Sequence, residues 1–133
     1  MTVRGTARAQ QIKTDRDPSE RFHIAQGYRV GDLIFVSGQV GTAADGAVVP
    51  GGFEQQAQAA FGNLRRVLEA AGAGIDSVIK LNIYVTDMAN FPSIVELRAE
   101  HFSVPYPADT IVEVSALARP GLMIEIEAVA LAE

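Results

Sequence analysis

Two acids spaced two residues apart, Glu125 and Glu127 in "MIEIEAVAL", are the groups in this chain best placed to do chemistry. On a strand that spacing puts both on one face, together with Met123 and Val129. Two roles suit such a pair. One is an exposed polar stripe; the other is a carboxylate at a partly apolar site, its pKa raised so that it can hold or deprotonate a water. A third acid, Asp109 in "YPADTIVEVSAL", stands at the threshold of a strand-like run, where a charge needs a partner, a role or an exit to water.

Other candidates carry less. Ser37 in "VSGQVG" has the type of a nucleophile but lacks a Gly-x-Ser-x-Gly elbow and an assignable His–acid partner. Gly38 beside it is more informative, because a glycine inside a strand marks a place where another group comes close. His23 and His101 are the only imidazoles and have no ligand spacing, so no metal is expected. At the end of a helix, His101 is explained by a favourable dipole interaction. Gly72-x-Gly74 closes a helix instead of opening one, which fits a cap and not a nucleotide loop.

The elements that must position these residues are legible from periodicity. Phe53, Ala57, Ala60, Phe61, Leu64, Val67, Leu68 and Ala71 share one face of a helix, bounded by Gly51-Gly52 and Gly72. A second helix is predicted from Asn90 as N-cap, with Pro92 in its first turn and Phe91, Ile94, Val95, Arg98 and Phe102 near one face. Between them "SVIKLNIYVTD" alternates, with Ile79, Leu81, Ile83 and Val85 on the apolar side. Earlier, "FHIAQGYRV" and "DLIFVSGQV" read as a hairpin through Gly31-Asp32. In its second strand Leu33 and Phe35 share one face, while Ile34, Val36 and Val40 share the other. "DTIVEVSAL" and "LMIEIEAVALA" supply two closing strands. The order predicts an α+β fold, a mixed sheet with two helices on one face. Cover for the opposite face is expected from further copies of the chain.

Composition narrows the function classes. The 133 residues, 48% hydrophobic and 20% charged, suit a single domain spanning 1–133. No apolar run is long enough for a bilayer and no secretory signal opens the chain, so no membrane partner and a cytoplasmic location are expected. Cysteine is absent, which excludes thiolate catalysis and cysteine–zinc sites. A net charge of −5 without a basic cluster argues against nucleic acid as a partner.

Four blocks then stand together in order: "VGDLIFVSGQVG", "QQAQAAFGNLRRVLEAAGAGIDSVIKLNIYVTDMANF", "PADTIVEVSAL" and "IEIEAVA". Over about residues 20 to 131 they resemble the RidA/YjgF family of reactive intermediate deaminases. The resemblance implies a chorismate-mutase-like fold assembled as a homotrimer, with three small-molecule clefts between subunits. It also implies hydrolysis of short imino acids without metal or cofactor. An arginine grips the substrate carboxylate, and a last-strand glutamate orients the attacking water.

Carried over residue by residue, that glutamate matches Glu125, and the family's cleft serine and glycine match Ser37 and Gly38. The family arginine falls on Asp109, its cleft tyrosine on Ile24, its second-helix asparagine on Val95 and its strand cysteine on Ile111. The connection from "VEV" to "IEIEA" is one residue longer. Exchanging a cation for an anion is a large change, since two charges about 4 Å apart interact by about 4 kcal/mol at an effective dielectric near 20. The exchange implies a cleft for an amine, an amide or a neutral polar ligand, and a substrate other than the simple 2-imino acids; Ile24, Val95 and Ile111 in place of polar groups make that cleft drier. A non-catalytic binding trimer and a protein-partner module are the alternatives.

Overall fold

The computed structural model describes residues 2–4 and 7–133. Its strands are β1 (Thr2–Arg4), β2 (Ala7–Ile12), β3 (Gly27–Val30), β4 (Leu33–Val40), β5 (Val78–Val85), β6 (Ala108–Glu113) and β7 (Ile124–Leu131), with helices α1 (Phe53–Ala70) and α2 (Phe91–His101). They form one mixed sheet in the order β1-β2-β3-β4-β7-β5-β6. The last strand in sequence is inserted between β4 and β5, antiparallel to both, and β6 runs parallel to β5 at the edge. Parallel pairing requires a crossover, which α2 supplies.

The helical face holds the core. Phe61, Leu64 and Leu68 of α1 and Ile94 of α2 are fully buried against Ile34, Leu81, Ile83, Ile124 and Ile126 of the sheet. Each such side chain contributes about 1.5–3 kcal/mol. β7 alternates as its sequence predicts: Ile124, Ile126, Ala128 and Ala130 point inward, while Glu125, Glu127 and Val129 are half-buried on the other face.

Several sequence expectations need correction. The strand read in "FHIAQGYRV" begins only at Gly27. His23 takes a left-handed conformation, φ 62°, and the buried Gln26 side chain accepts from the Thr14 amide at 2.8 Å, so the preceding residues turn away. In β4 the pairing to β7 slips between Val36 and Gln39, leaving Ser37 and Gly38 opposite Glu127. This bulge carries Gln39 inward and moves Val40 to the outer face beside Glu125. A second slip, between Val78 and Lys80, sends Val78 inward and leaves Ile79 42% exposed.

On α2 the buried positions are Ile94 and Leu97, while Phe91 and Val95 face outward. Asn90 makes no side-chain cap bond; Asp87 caps one turn earlier, accepting from the Ala89 amide at 2.9 Å. His101 stacks on Phe61 with ring centroids 4.4 Å apart. Burial lowers its pKa, so packing of a neutral ring, not a charge at the helix terminus, accounts for it. β1 and β2 extend the sheet where the sequence carries no strong strand signal.

Candidate active site

Glu125 enters the sheet between Val40 of β4 and Tyr84 of β5. Its side chain folds back over the β4 bulge, and a Cβ at position 38 would collide with its carboxylate. Gly38 therefore leaves the space in which the Glu125 carboxylate sits over the bulge. The carboxylate lines a cavity of about 280 Å³ together with Gly38, Gln39, Phe22, Ile24, Leu122 and Arg119. Burial raises the Glu125 pKa, and the nearby Glu127 charge adds to the rise.

Glu127 is engaged differently. Tyr84 Oη donates to its Oε1 at 2.5 Å and Asn82 Nδ2 donates to the same atom at 3.1 Å. The bond to an ionised acceptor raises the Tyr84 pKa. Of two acids on one strand face, one is thus tied to a tyrosine and an amide, while the other stands at a cavity wall. No hydrogen bond to a protein donor holds Glu125 among the described residues. Such a carboxylate can bind a water and accept its proton.

Two buried amides of α1 hold the loops that frame this cavity. Gln56 Nε2 donates to the Gly121 carbonyl at 2.6 Å and its Oε1 accepts from the Met123 amide at 2.8 Å, which fixes the entry to β7. Asn63 Nδ2 donates to the Val40 and Thr42 carbonyls at 2.9 and 3.0 Å, which fixes the exit from β4. Gly41 lets that loop approach, since a Cβ there would lie 2.6 Å from the Cβ of Gln56. Neither amide was singled out by sequence reasoning. Their signal was position: both fall on the otherwise apolar face of α1.

The other site candidates lie elsewhere in the chain. Leu81 and Ile83 point inward and pair with Asp109 and Ile111, placing those two residues on the helical side of the sheet, opposite Glu125. Ile111 packs against the core. Asp109 meets Arg98 of α2 as a two-pronged ion pair, Nε to Oδ2 at 2.8 Å and Nη2 to Oδ1 at 2.9 Å. That pair lines a separate depression of about 390 Å³ with Val95, Phe102 and Tyr106. Asp109 is thus not an isolated anion, and the repulsion it would exert on a ligand carboxylate is offset by the guanidinium it grips.

Ser37 lines a third depression, on the outer sheet face with Tyr28, Phe35 and Glu127. Its hydroxyl donates towards the Ala25 and Gln26 carbonyls, at 2.9 and 3.0 Å, and so fastens the bulge. Within one chain the structure brings together Glu125, Gly38 and Ile24, groups Val95 with Asp109, and leaves Ser37 and Ile111 apart from both sets. No group of three or more potential metal ligands occurs among the described residues.

The chain matches the family model described as "Endoribonuclease L-PSP" over residues 14–132. It is 36% identical over 120 residues to the 2-iminobutanoate/2-iminopropanoate deaminase of Mus musculus, covering 90% of this chain and 88% of the mouse protein. It is 34% identical over 123 residues to a RutC family protein of Pyrococcus abyssi, covering 92% and 96%. Among solved structures, RidA from an Antarctic Psychrobacter species superimposes with a TM-score of 0.85 at 34% identity, covering 92% of this chain and 98% of that one.

Proposed function

Because the chain belongs to the Endoribonuclease L-PSP family, the RidA/YjgF group whose sequence blocks it carries, we propose that it is a cofactor-free hydrolytic deaminase of small imines or enamines, working in clefts between the subunits of a homotrimer. The observation that carries this reading is the Glu125 carboxylate at the wall of an apolar-lined cavity, seated over Gly38, its pKa raised by burial.

The chemistry follows from that placement. A water held by the ionised Glu125 attacks the imine carbon while the carboxylate takes its proton, forming a carbon–oxygen bond and a carbinolamine. The protonated Glu125 then returns the proton to the nitrogen. Collapse of the carbinolamine breaks the carbon–nitrogen bond as its hydroxyl proton passes through the Glu125 carboxylate to the departing nitrogen, releasing ammonia and leaving a carbonyl compound. A raised pKa serves both halves, since the same group must accept and then donate near neutral pH.

The division of the other candidates between two faces of the sheet supports an assembly of several copies. A cleft that used both the Glu125 set and the Asp109–Arg98 set would need one copy to supply each. With Asp109 where the relatives' arginine is expected, the substrate is held differently from a simple 2-imino acid. A second reading, a binding trimer without turnover, is favoured by the pairing of Arg98 on α2 with Asp109 on β6, which takes both prongs of the guanidinium.

Ammonia release separates the two. Imines generated in situ by an amine oxidase from a panel of primary amines with acidic, neutral and basic far ends should give turnover with the wild type. Glu125→Gln should remove it. Absence of ammonia above the buffer rate with every imine, alongside saturable binding of a carbonyl compound, would favour the binding trimer.

A further inference from the structure

The cavity beside Glu125 has a second charged wall that the water-positioning role leaves unexplained. Arg119, on the connection from β6 into β7, lines the same cavity as Glu125, Gly38 and Ile24. Its guanidinium is held in place: Nη1 donates to the Gly46 carbonyl at 2.9 Å. That carbonyl sits in a tight loop closed by bonds from the Ala43 amide to the Ala47 carbonyl and from the Gly46 amide to the Ala43 carbonyl, 2.8 and 2.9 Å, with Gly46 at φ 87°.

The acid sharing the cavity is not its partner. Arg98 pairs with Asp109 and Lys13 with Glu20, whereas among the described residues no ion pair joins Arg119 to Glu125. A contacting guanidinium would depress the Glu125 pKa, whereas burial and Glu127 raise it. Opposite charges that line one cavity without neutralising each other leave room for a third group between them. Arg98, by contrast, has both prongs taken by Asp109.

We propose that Arg119 anchors the carboxylate of the ligand, so that the anionic subsite of this chain lies on the β6–β7 connection instead of on β6. The ligand class is a small carbonyl or imine compound with an acid group at one end and an apolar stem against Phe22, Ile24 and Leu122, its reacting carbon turned to Glu125. A guanidinium suits this task because its planar fork matches a carboxylate. The inference rests on the reading of the Glu125 cavity as a deaminase site, and names the substrate's charged end.

Calorimetry on the full chain tests it without turnover. The probes are 2-oxobutanoate, 4-oxopentanoate and 6-oxoheptanoate, which place the acid at increasing distance from a carbonyl, and the three matching amides. The wild type should bind at least one acid about tenfold or more tightly than its amide. Arg119→Gln, which retains a donor for the Gly46 carbonyl, should abolish that preference while changing amide affinity by less than about twofold. Arg119→Lys, charged but without the fork, should keep part of it. Arg29→Gln, which is not among the residues lining the Glu125 cavity, should leave it intact. No preference for any acid in the wild type, or a preference that survives in Arg119→Gln, would overturn the assignment. Because ammonia is not the readout, a wild type that releases none yet binds acids through Arg119 would sink the deaminase reading and support the anchor.

Discussion

At the scale of the residue, Glu125 couples function to a cost in stability. Its folded-state pKa is raised above the ordinary 4.5. Below pH 4.5 the group is protonated in both folded and unfolded chains and contributes no pH-dependent penalty. As pH rises through the raised value, the folded chain must ionise a carboxylate in a partly dehydrated place, so stability falls across that window. Glu125→Gln should flatten this part of the stability–pH profile and leave the protein at least as stable as the wild type at pH 7, measured by urea denaturation. Ammonia release should meanwhile drop by roughly 10²–10⁴, the usual worth of a general base. Gly38→Ala separates position from charge. The new methyl group collides with the flexible end of the Glu125 side chain, so the carboxylate should swing away, turnover should fall about tenfold or more because the catalytic group is misplaced, and the melting temperature should change little. Unchanged turnover in Gly38→Ala would mean that the seat over the bulge does not matter.

At the scale of the element, the features that build the cavity are those that break a pattern. Periodicity alone made α1, β7 and the Gly31-Asp32 hairpin readable, because each presents an uninterrupted apolar stripe or a strong turn signal. It fails at the two bulges, where one extra residue reverses inside and outside: alternation puts Val40 on the face of Ile34 and Val36, but it lies beside Glu125, and puts Ile79 on the apolar face with Leu81, but it is exposed. Gly38 signalled the first bulge, but nothing in "SVIKLN" signalled the second. Strand spacing and a glycine inside a strand raised Glu125 and Gly38 as candidates, and the resemblance singled out Glu125 from Glu127. It could not supply Arg98 as the partner of Asp109, since that pair joins a helix to a strand through tertiary contact. Gln56 tests the element's role directly. Gln56→Ala leaves the Gly121 carbonyl and the Met123 amide without their partner, at a cost of about 1–3 kcal/mol for the partly buried Met123 amide and less for the exposed Gly121. Because those groups lead into β7, urea midpoint and turnover should fall together. A variant with lost stability but normal turnover would show that the loop finds its place without the amide.

At the scale of the whole molecule, one layer of helices covers one face of the sheet, and the other face carries Phe35 and Leu131, 44% and 47% exposed, with Leu33 beside them. Large apolar side chains grouped on a bare sheet face are what a further copy of the chain would cover. The same assembly would explain why Glu125 and the Asp109–Arg98 pair open on opposite sides of the sheet. For the proposed homotrimer, sedimentation equilibrium should give about three times the 14.2 kDa chain mass. Phe35→Glu places a charge on the outer face, away from the residues lining the Glu125 cavity. It should shift the mass towards the monomer and, if the clefts form between copies, remove ammonia release although every residue around Glu125 is intact. A monomeric wild type, or a monomeric Phe35→Glu variant with full turnover, would confine the chemistry to the single-chain cavity.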